Sequence, residues 1–221
     1  MFVKICGTTT EEDALLATAM GADAVGFVFA PSVRQVAVDH ARDIARRLPA
    51  EILTVGVFRD EAPQRVVDLV HRAGLRAAQL HGSETPEDTQ WIRERVGIVI
   101  KAFVAGSVGL DRRDEYGADA VIVDSHAPGS GEVFDWSLAE GAPVGKRFIL
   151  AGGLTPENVA DAIEVVRPWG VDVATGVESS PGHKDPVKLR RFIANARAAE
   201  PQHYQGDEGH VPYDWQDDLY R

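Results

Sequence analysis

A lone cysteine closes the first apolar run of this sequence, FVKIC at 2–6, immediately before Gly7 and three threonines. A thiolate at a strand end can serve as a base or a nucleophile. A buried thiol is equally good core filling, and position alone leaves both readings open for Cys6. Asp124 follows the apolar run AVIV. Partial desolvation there favours the protonated carboxyl and suits general-acid work, although a carboxylate that only caps the next loop would occupy the same place. Arg34, in PSVR, offers a planar fork to a carboxylate or phosphate. His81, in QLHG, either orients a ligand or is a satisfied loop histidine, and Arg59 with Asp60 reads as a surface pair. Two loops carry small residues ahead of helix-like stretches: AGGLTPENV with Gly152 and Gly153, and ATGVESSPG with Thr175 and Gly176. Unobstructed backbone N–H groups near a helix start form an anion site, so these loops point to a phosphate; the plainer reading is that they close tight turns. No His, Cys, Asp or Glu cluster has metal-ligand spacing, and no Ser-His-Asp order is visible.

Something must bring these residues together. The chain alternates short apolar runs with amphipathic stretches. The runs are FVKIC (2–6), AVGFVF (24–29), ILTVGVF (52–58), AAQL (77–80), IVIKAF (98–103), AVIV (120–123), RFILA (147–151) and VDVA (171–174). Several are apolar almost throughout, as strands covered on both faces must be. The stretches between them carry helix-start signals: threonines before EEDALLATAM, Thr155-Pro156-Glu157, and Asp185-Pro186. GADAV at 21–25 recurs at 117–121, with weaker echoes at 74–78 and 170–174. Each has the form helix, glycine, strand, and a glycine there suits the left-handed turn that closes a helix. Each interval holds two strand–helix units, which predicts eight parallel strands and eight helices in a (β/α)8 barrel. A doubly wound open sheet is the alternative, but KICGTTTEE is no dinucleotide fingerprint. Barrel strands deliver their functional residues at their C-terminal ends. Cys6, Arg34, Arg59, Asp60, Gln79, His81, Lys101, Asp124, Gly152, Gly153, Asp172, Thr175 and Gly176 are all expected to converge on one mouth. The expected organisation is a single catalytic barrel over 1–199 with an acidic C-terminal extension over 200–221, disordered or docked on the surface through its aromatic residues.

Composition narrows the partners. The 221 residues can bury a sizeable core without metals or disulfides, and one cysteine excludes an intramolecular disulfide. The formal net charge of -11 repels a phosphate backbone, so no nucleic acid is expected. No apolar run approaches a membrane span and the N-terminus lacks signal-peptide features, so the expectation is a cytoplasmic protein without a membrane partner, acting on a small phosphorylated metabolite.

The ordered set KICGTTTEEDA, GADAVGFVF, QLHG, VDS…PGSGEVFDW, AGGLTPENV and VDVATGVESSPGHKD resembles the phosphoribosylanthranilate isomerase family of tryptophan biosynthesis, over residues 2 to 197. The resemblance implies a (β/α)8 barrel without metal or organic cofactor. It also implies an Amadori rearrangement of N-(5-phospho-β-D-ribosyl)anthranilate to 1-(2-carboxyphenylamino)-1-deoxy-D-ribulose 5-phosphate. In that reading Asp124 is the acid that opens the ribose ring and Cys6 the base that takes the C2 proton. The phosphate lies on Gly152, Gly153, Thr175 and Gly176. Arg34 meets the anthranilate carboxylate, His81 binds substrate and Asp172 touches its polar groups. The chain departs from the family pattern at Gly129-Ser130-Gly131-Glu132, where a lysine is usual in place of Glu132. It also departs in a shorter Arg34 loop with Gln35 in place of an aromatic, at Arg59, and in the tail. The alternatives are a related or bifunctional phosphoribosyl isomerase of histidine biosynthesis, which would put an aspartate where Cys6 stands, and a barrel that binds a phosphorylated ligand without catalysis. A monomer is expected rather than a homodimer.

Overall fold

Side chains of a strand alternate between its two faces, and that alternation sorts the first strand, β1 (Phe2–Ile5). Phe2 joins an inner cluster with Ala24, Leu53, Val55, Ala77, Ile100, Ile122 and Ile149. Val3 and Ile5 join an outer cluster with helix residues such as Ala14, Ile44, Leu69, Ile163 and Phe192. Two apolar layers on opposite faces of one sheet are what a closed barrel wrapped in helices requires.

The structure is a computed structural model that describes residues 1–124 and 147–200. Its strands are β1, β2 (Ala24–Val28), β3 (Leu53–Phe58), β4 (Ala77–Leu80), β5 (Ile98–Val104), β6 (Ala120–Asp124), β7 (Arg147–Leu150) and β8 (Gly170–Val173). They pair in sequence order into a closed barrel, every pair parallel, and β8 returns to β1 with Lys4 opposite Asp172. The apolar runs of the sequence thus mark every barrel strand to within a residue or so, and the open-sheet alternative falls. The helices are α1 (Glu11–Ala19), α2 (Val38–Ala45), α3 (Pro63–Ala73), α4 (Pro86–Arg93), α5 (Val108–Asp111), α6 (Val159–Val166) and α7 (Pro186–Ala198). A short hairpin, β9 (Glu178–Ser180) and β10 (His183–Lys184), is inserted between β8 and α7. Gly129–Glu132 and residues 201–221 lie outside the described residues.

The start signals act as expected at two helices. The Thr10 side chain accepts from the Asp13 N–H, and Asp185 accepts from the N–H groups of Val187 and Lys188. At the third, regular helix begins at Val159, three residues beyond Pro156. Asn158 Oδ1 bonds the Thr155 N–H at 2.7 Å and draws Thr155–Asn158 into a turn instead. The repeat also needs two corrections. Gly21, Gly74 and Gly117 do adopt positive φ where helical segments end, but Gly170 does not; Arg167 closes α6 in the left-handed region and Gly170 is already in β8, crowded by Phe2. The β5–β6 connection carries only the four-residue α5 and a 3₁₀ turn at Arg113–Tyr116, so full helical units do not recur throughout.

Candidate active site

The inward parity of β1 continues past Ile5 and turns the Cys6 side chain to the C-terminal mouth. A cavity of about 200 Å³ opens there, lined by Cys6, Arg34, Arg59, His81, Asp124, Asp172 and the two glycine loops among others. On β6, Ala120 and Ile122 fill the barrel interior and Asp124 stands next in the same row. On β8, Asp172 holds the corresponding place. Gln79 on β4 lies directly beneath His81. The expected convergence holds for Cys6, Arg34, His81, Asp124, Gly152, Gly153, Asp172, Thr175 and Gly176, all of which line this one cavity.

Lys101 does not join them. It falls on the outward parity of β5, between Ile100 and Ala102 of the inner cluster. Its ammonium donates to the carbonyls of Leu80, Gly82 and Ala102 and pairs with Glu84 Oε2 at 3.0 Å. Glu84 in turn accepts from the N–H groups of Asp60 and Gly82, and Asp60 Oδ1 accepts from Ser83. Asp60 is therefore part of a clip that holds the loop after β4, and more than half of a surface pair with Arg59.

Lys4 Nζ donates to Asp172 Oδ1 at 2.9 Å, with Lys4 fully buried and Asp172 nearly so. Burial pushes the Cys6 thiol up, and Asp172 adds to this; the Lys4 ammonium beside it, and more weakly Lys184, pull the other way. Burial also works against the Lys4 ammonium, but Asp172 and Cys6 outweigh it and hold Lys4 above its ordinary value. His81 Nδ1 is 2.9 Å from Gln79 Nε2, and His81 Nε2 stands 3.2 Å from Asp124 Oδ2, an ion pair once the imidazole is protonated.

Arg34 grips Glu178 in bidentate fashion, Nε to Oε1 at 2.8 Å and Nη2 to Oε2 at 2.7 Å, and Nη2 also reaches Thr175 Oγ1 at 3.3 Å. Its guanidinium is held above its ordinary value by the Glu178 hydrogen bonds. Glu178 pairs with Lys184 at 3.1 Å as well, and Lys184 donates to the Cys6 carbonyl at 2.6 Å. Arg34 also occupies the space beside Gly7: a Cβ there would stand 2.5 Å from Arg34 Cδ. The two phosphate-type loops pack on each other. A Cβ at Gly176 would lie 1.9 Å from the Leu154 carbonyl oxygen, so only glycine lets the β8 loop settle against the β7 loop.

Sequence reasoning missed Lys4, Glu178 and Lys184. The first was signalled by a lysine inside an apolar strand at the parity of Cys6. Glu178 and Lys184 sit in ESSPGHK, where a turn between two opposite charges foretells a hairpin clip. Among the described residues no group of His, Cys, Asp or Glu could hold a metal ion.

Fold and site together define a class: a (β/α)8-barrel enzyme with a thiol, a carboxyl and two glycine-bearing loops turned into one pocket. Comparison with known proteins narrows the class. Residues 3–195 match the family described as N-(5'phosphoribosyl)anthranilate (PRA) isomerase. The N-(5'-phosphoribosyl)anthranilate isomerase of Desulforudis audaxviator is 50% identical over 204 residues, spanning 89% of this chain and 98% of that one. Its counterpart from Thermotoga maritima is 44% identical over 202 residues, spanning 88% and 98%. The crystal structure of phosphoribosyl anthranilate isomerase from Thermus thermophilus superposes with a TM-score of 0.84 at 42% identity, covering 90% of this chain and 99% of that one. A second solved isomerase, in complex with reduced 1-(o-carboxyphenylamino)-1-deoxyribulose 5-phosphate, gives 0.80 at 41%, with the same coverage. The chain belongs to the N-(5'-phosphoribosyl)anthranilate isomerase family and is an isomerase of tryptophan biosynthesis. The histidine-pathway and non-catalytic alternatives are set aside.

Proposed function

We propose that Cys6 and Asp124 are the base and the acid of this isomerisation. The observation that carries the reading is their placement: both end barrel strands on the inward parity, and both line the one cavity that the glycine loops also line. Asp124 protonates the ribose ring oxygen, and the ring opens to a Schiff base between C1 and the anthranilate nitrogen. Cys6, as thiolate, takes the proton from C2, and the electron pair of that C–H bond becomes the C1–C2 double bond of an enolamine. Tautomerisation places a proton on C1 and leaves the ketone at C2. Acid and base on different walls of the mouth can act on the ring oxygen and on C2 of one bound sugar.

The substrate phosphate lies on Gly152, Gly153, Thr175 and Gly176, all of which line the cavity on two packed loops. Arg34 meets the anthranilate carboxylate with the part of its fork that Glu178 and Thr175 leave open. Asp172 and His81 contact substrate hydroxyls. The monomer reading rests on the exposed large apolar side chains of the described residues, Leu15, Val33, Val108, Val165 and Val187, each of which falls on a different helix or loop. Sedimentation equilibrium tests it, and a dimer at micromolar concentration rejects it. Cytoplasmic location belongs to the same reading; no helix among the described residues is long and apolar enough to cross a membrane.

The test of the acid is Asp124→Asn, assayed on freshly prepared phosphoribosylanthranilate by loss of substrate fluorescence. The variant is expected to fold and to lose at least about 100-fold in turnover. Near-full turnover would reject Asp124 as the acid.

A further inference from the structure

The floor of the pocket holds a charge that the reaction scheme above does not use. Lys4 does not line the cavity; it lies one inward step below Cys6 on β1, fully buried. Its ammonium donates to Asp172 on the neighbouring strand at 2.9 Å, and Cys6 is its other side-chain partner. Gly26 on β2 keeps open the gap that lysine and cysteine share. A Cβ there would stand 3.0 Å from Cys6 Sγ and 3.1 Å from Lys4 Nζ. The two heads are therefore about 6 Å apart at most, within the range where an opposite charge favours the ionised form of its neighbour.

We propose that Lys4 is a positioning residue for the reaction, a buried ammonium anchored by Asp172 that favours the thiolate form of Cys6 from beneath the pocket. This rests on the reading of Cys6 as the base. The thiol proton leaves to solvent, the ammonium keeps its own protons, and the thiolate that remains accepts the C2 proton of substrate.

The other charges around the thiol do not replace Lys4. Lys184 lies behind β1 and spends its ammonium on Glu178 and on the Cys6 and Ala174 carbonyls. Arg34 shares the Glu178 carboxylate with Lys184; Glu178 is the strongest influence on its guanidinium and Cys6 the weakest. His81 and Asp124 belong to another wall of the cavity. Asp172 opposes the thiolate, so the two strand neighbours at this level, Lys4 and Asp172, act on Cys6 with opposite signs.

Those opposite signs give the test. Cys6 is the only thiol in the chain, so alkylation by iodoacetamide followed by intact mass reads it alone, and ultraviolet absorbance against pH reads it as the difference from Cys6→Ser, which cancels the four tyrosines. Lys4→Met is expected to slow alkylation near neutral pH at least about tenfold and to move the absorbance midpoint to higher pH. Asp172→Asn is expected to move the midpoint the other way, and Lys4→Arg to restore most of the alkylation rate. If Lys4→Met does not fold, the direction found for Asp172→Asn decides alone. A midpoint unchanged in Lys4→Met, or moved upward in Asp172→Asn, overturns the proposal. The turnover of Cys6→Ser reports separately on whether Cys6 is the base, so failure of one reading is not mistaken for failure of the other.

Discussion

Two lysines are buried on the strands of this barrel, and they are used in opposite ways. Lys101 points outward from β5, and its ammonium is surrounded by the Leu80, Gly82 and Ala102 carbonyls and the Glu84 carboxylate. Lys4 points inward from β1, meets one carboxylate, and has a titratable thiol beside it. Burial holds Lys101 below its ordinary value despite Glu84, whereas Asp172 and Cys6 hold Lys4 above its own. A buried cation saturated by main-chain oxygens is a fastener: it holds the loop after β4, and with it His81, in place. A buried cation with an ionisable neighbour acts on that neighbour's charge. The parity of a single strand residue separates the two roles.

Removing the fastener has the largest expected effect. Lys101→Met leaves Glu84 buried and unpaired and is expected to cost about 3–5 kcal/mol in denaturant unfolding. The Cys6 titration of whatever folds should match the parent. If Lys101→Met instead shifted the Cys6 midpoint as Lys4→Met is expected to, the distinction between the two lysines would fail.

Gly26→Ala sharpens the Lys4 side of the comparison. Its methyl group would press on both heads at once, and neither the β2 backbone nor Cys6 Cα, 3.3 Å from the added atom, can give way freely. A loss of about 1–3 kcal/mol in stability is expected, together with slower Cys6 alkylation. Unchanged alkylation would show that the shared gap does not matter.

The smallest effect concerns the Arg34–Glu178–Lys184 clip. Burial works against the Glu178 carboxylate, but Arg34 and Lys184 outweigh it and hold it below its ordinary value. A carboxylate depressed in the folded state contributes stability that is fully present above its unfolded value of 4.5 and is lost as the pH falls from there through the folded value. Glu178→Gln should therefore be less stable than the parent near neutrality, and the gap should narrow below pH 4.5. A gap independent of pH would mean that the clip contributes packing alone.

The barrel was legible because strands covered on both faces must be apolar, and eight such runs survive in the sequence without ambiguity. The mouth residues followed from the rule that strands end there, and Cys6, Asp124 and Asp172 all keep the inward parity. Lys101 misled because it is charged and close to a strand end, while its parity sends it outward. Lys4 was passed over because a lysine within a strand reads as an exposed interruption, and only the closure of β8 on β1 supplies the carboxylate that lets it be buried. The Arg34 clip depends on a hairpin far along the chain, and no local pattern around PSVR reports it. The late start of α6 turned on the Asn158 side chain outcompeting a helical first turn.

The most direct measurement of the central reading is the turnover of Cys6→Ser on freshly made phosphoribosylanthranilate, with circular dichroism to confirm the fold. The exchange keeps the shape of the side chain and removes its capacity to carry negative charge near neutral pH. A loss of at least about 100-fold with an unchanged fold is the result expected of a missing base. A folded Cys6→Ser enzyme that turns over substrate at close to the parent rate would contradict the assignment of Cys6 as the base.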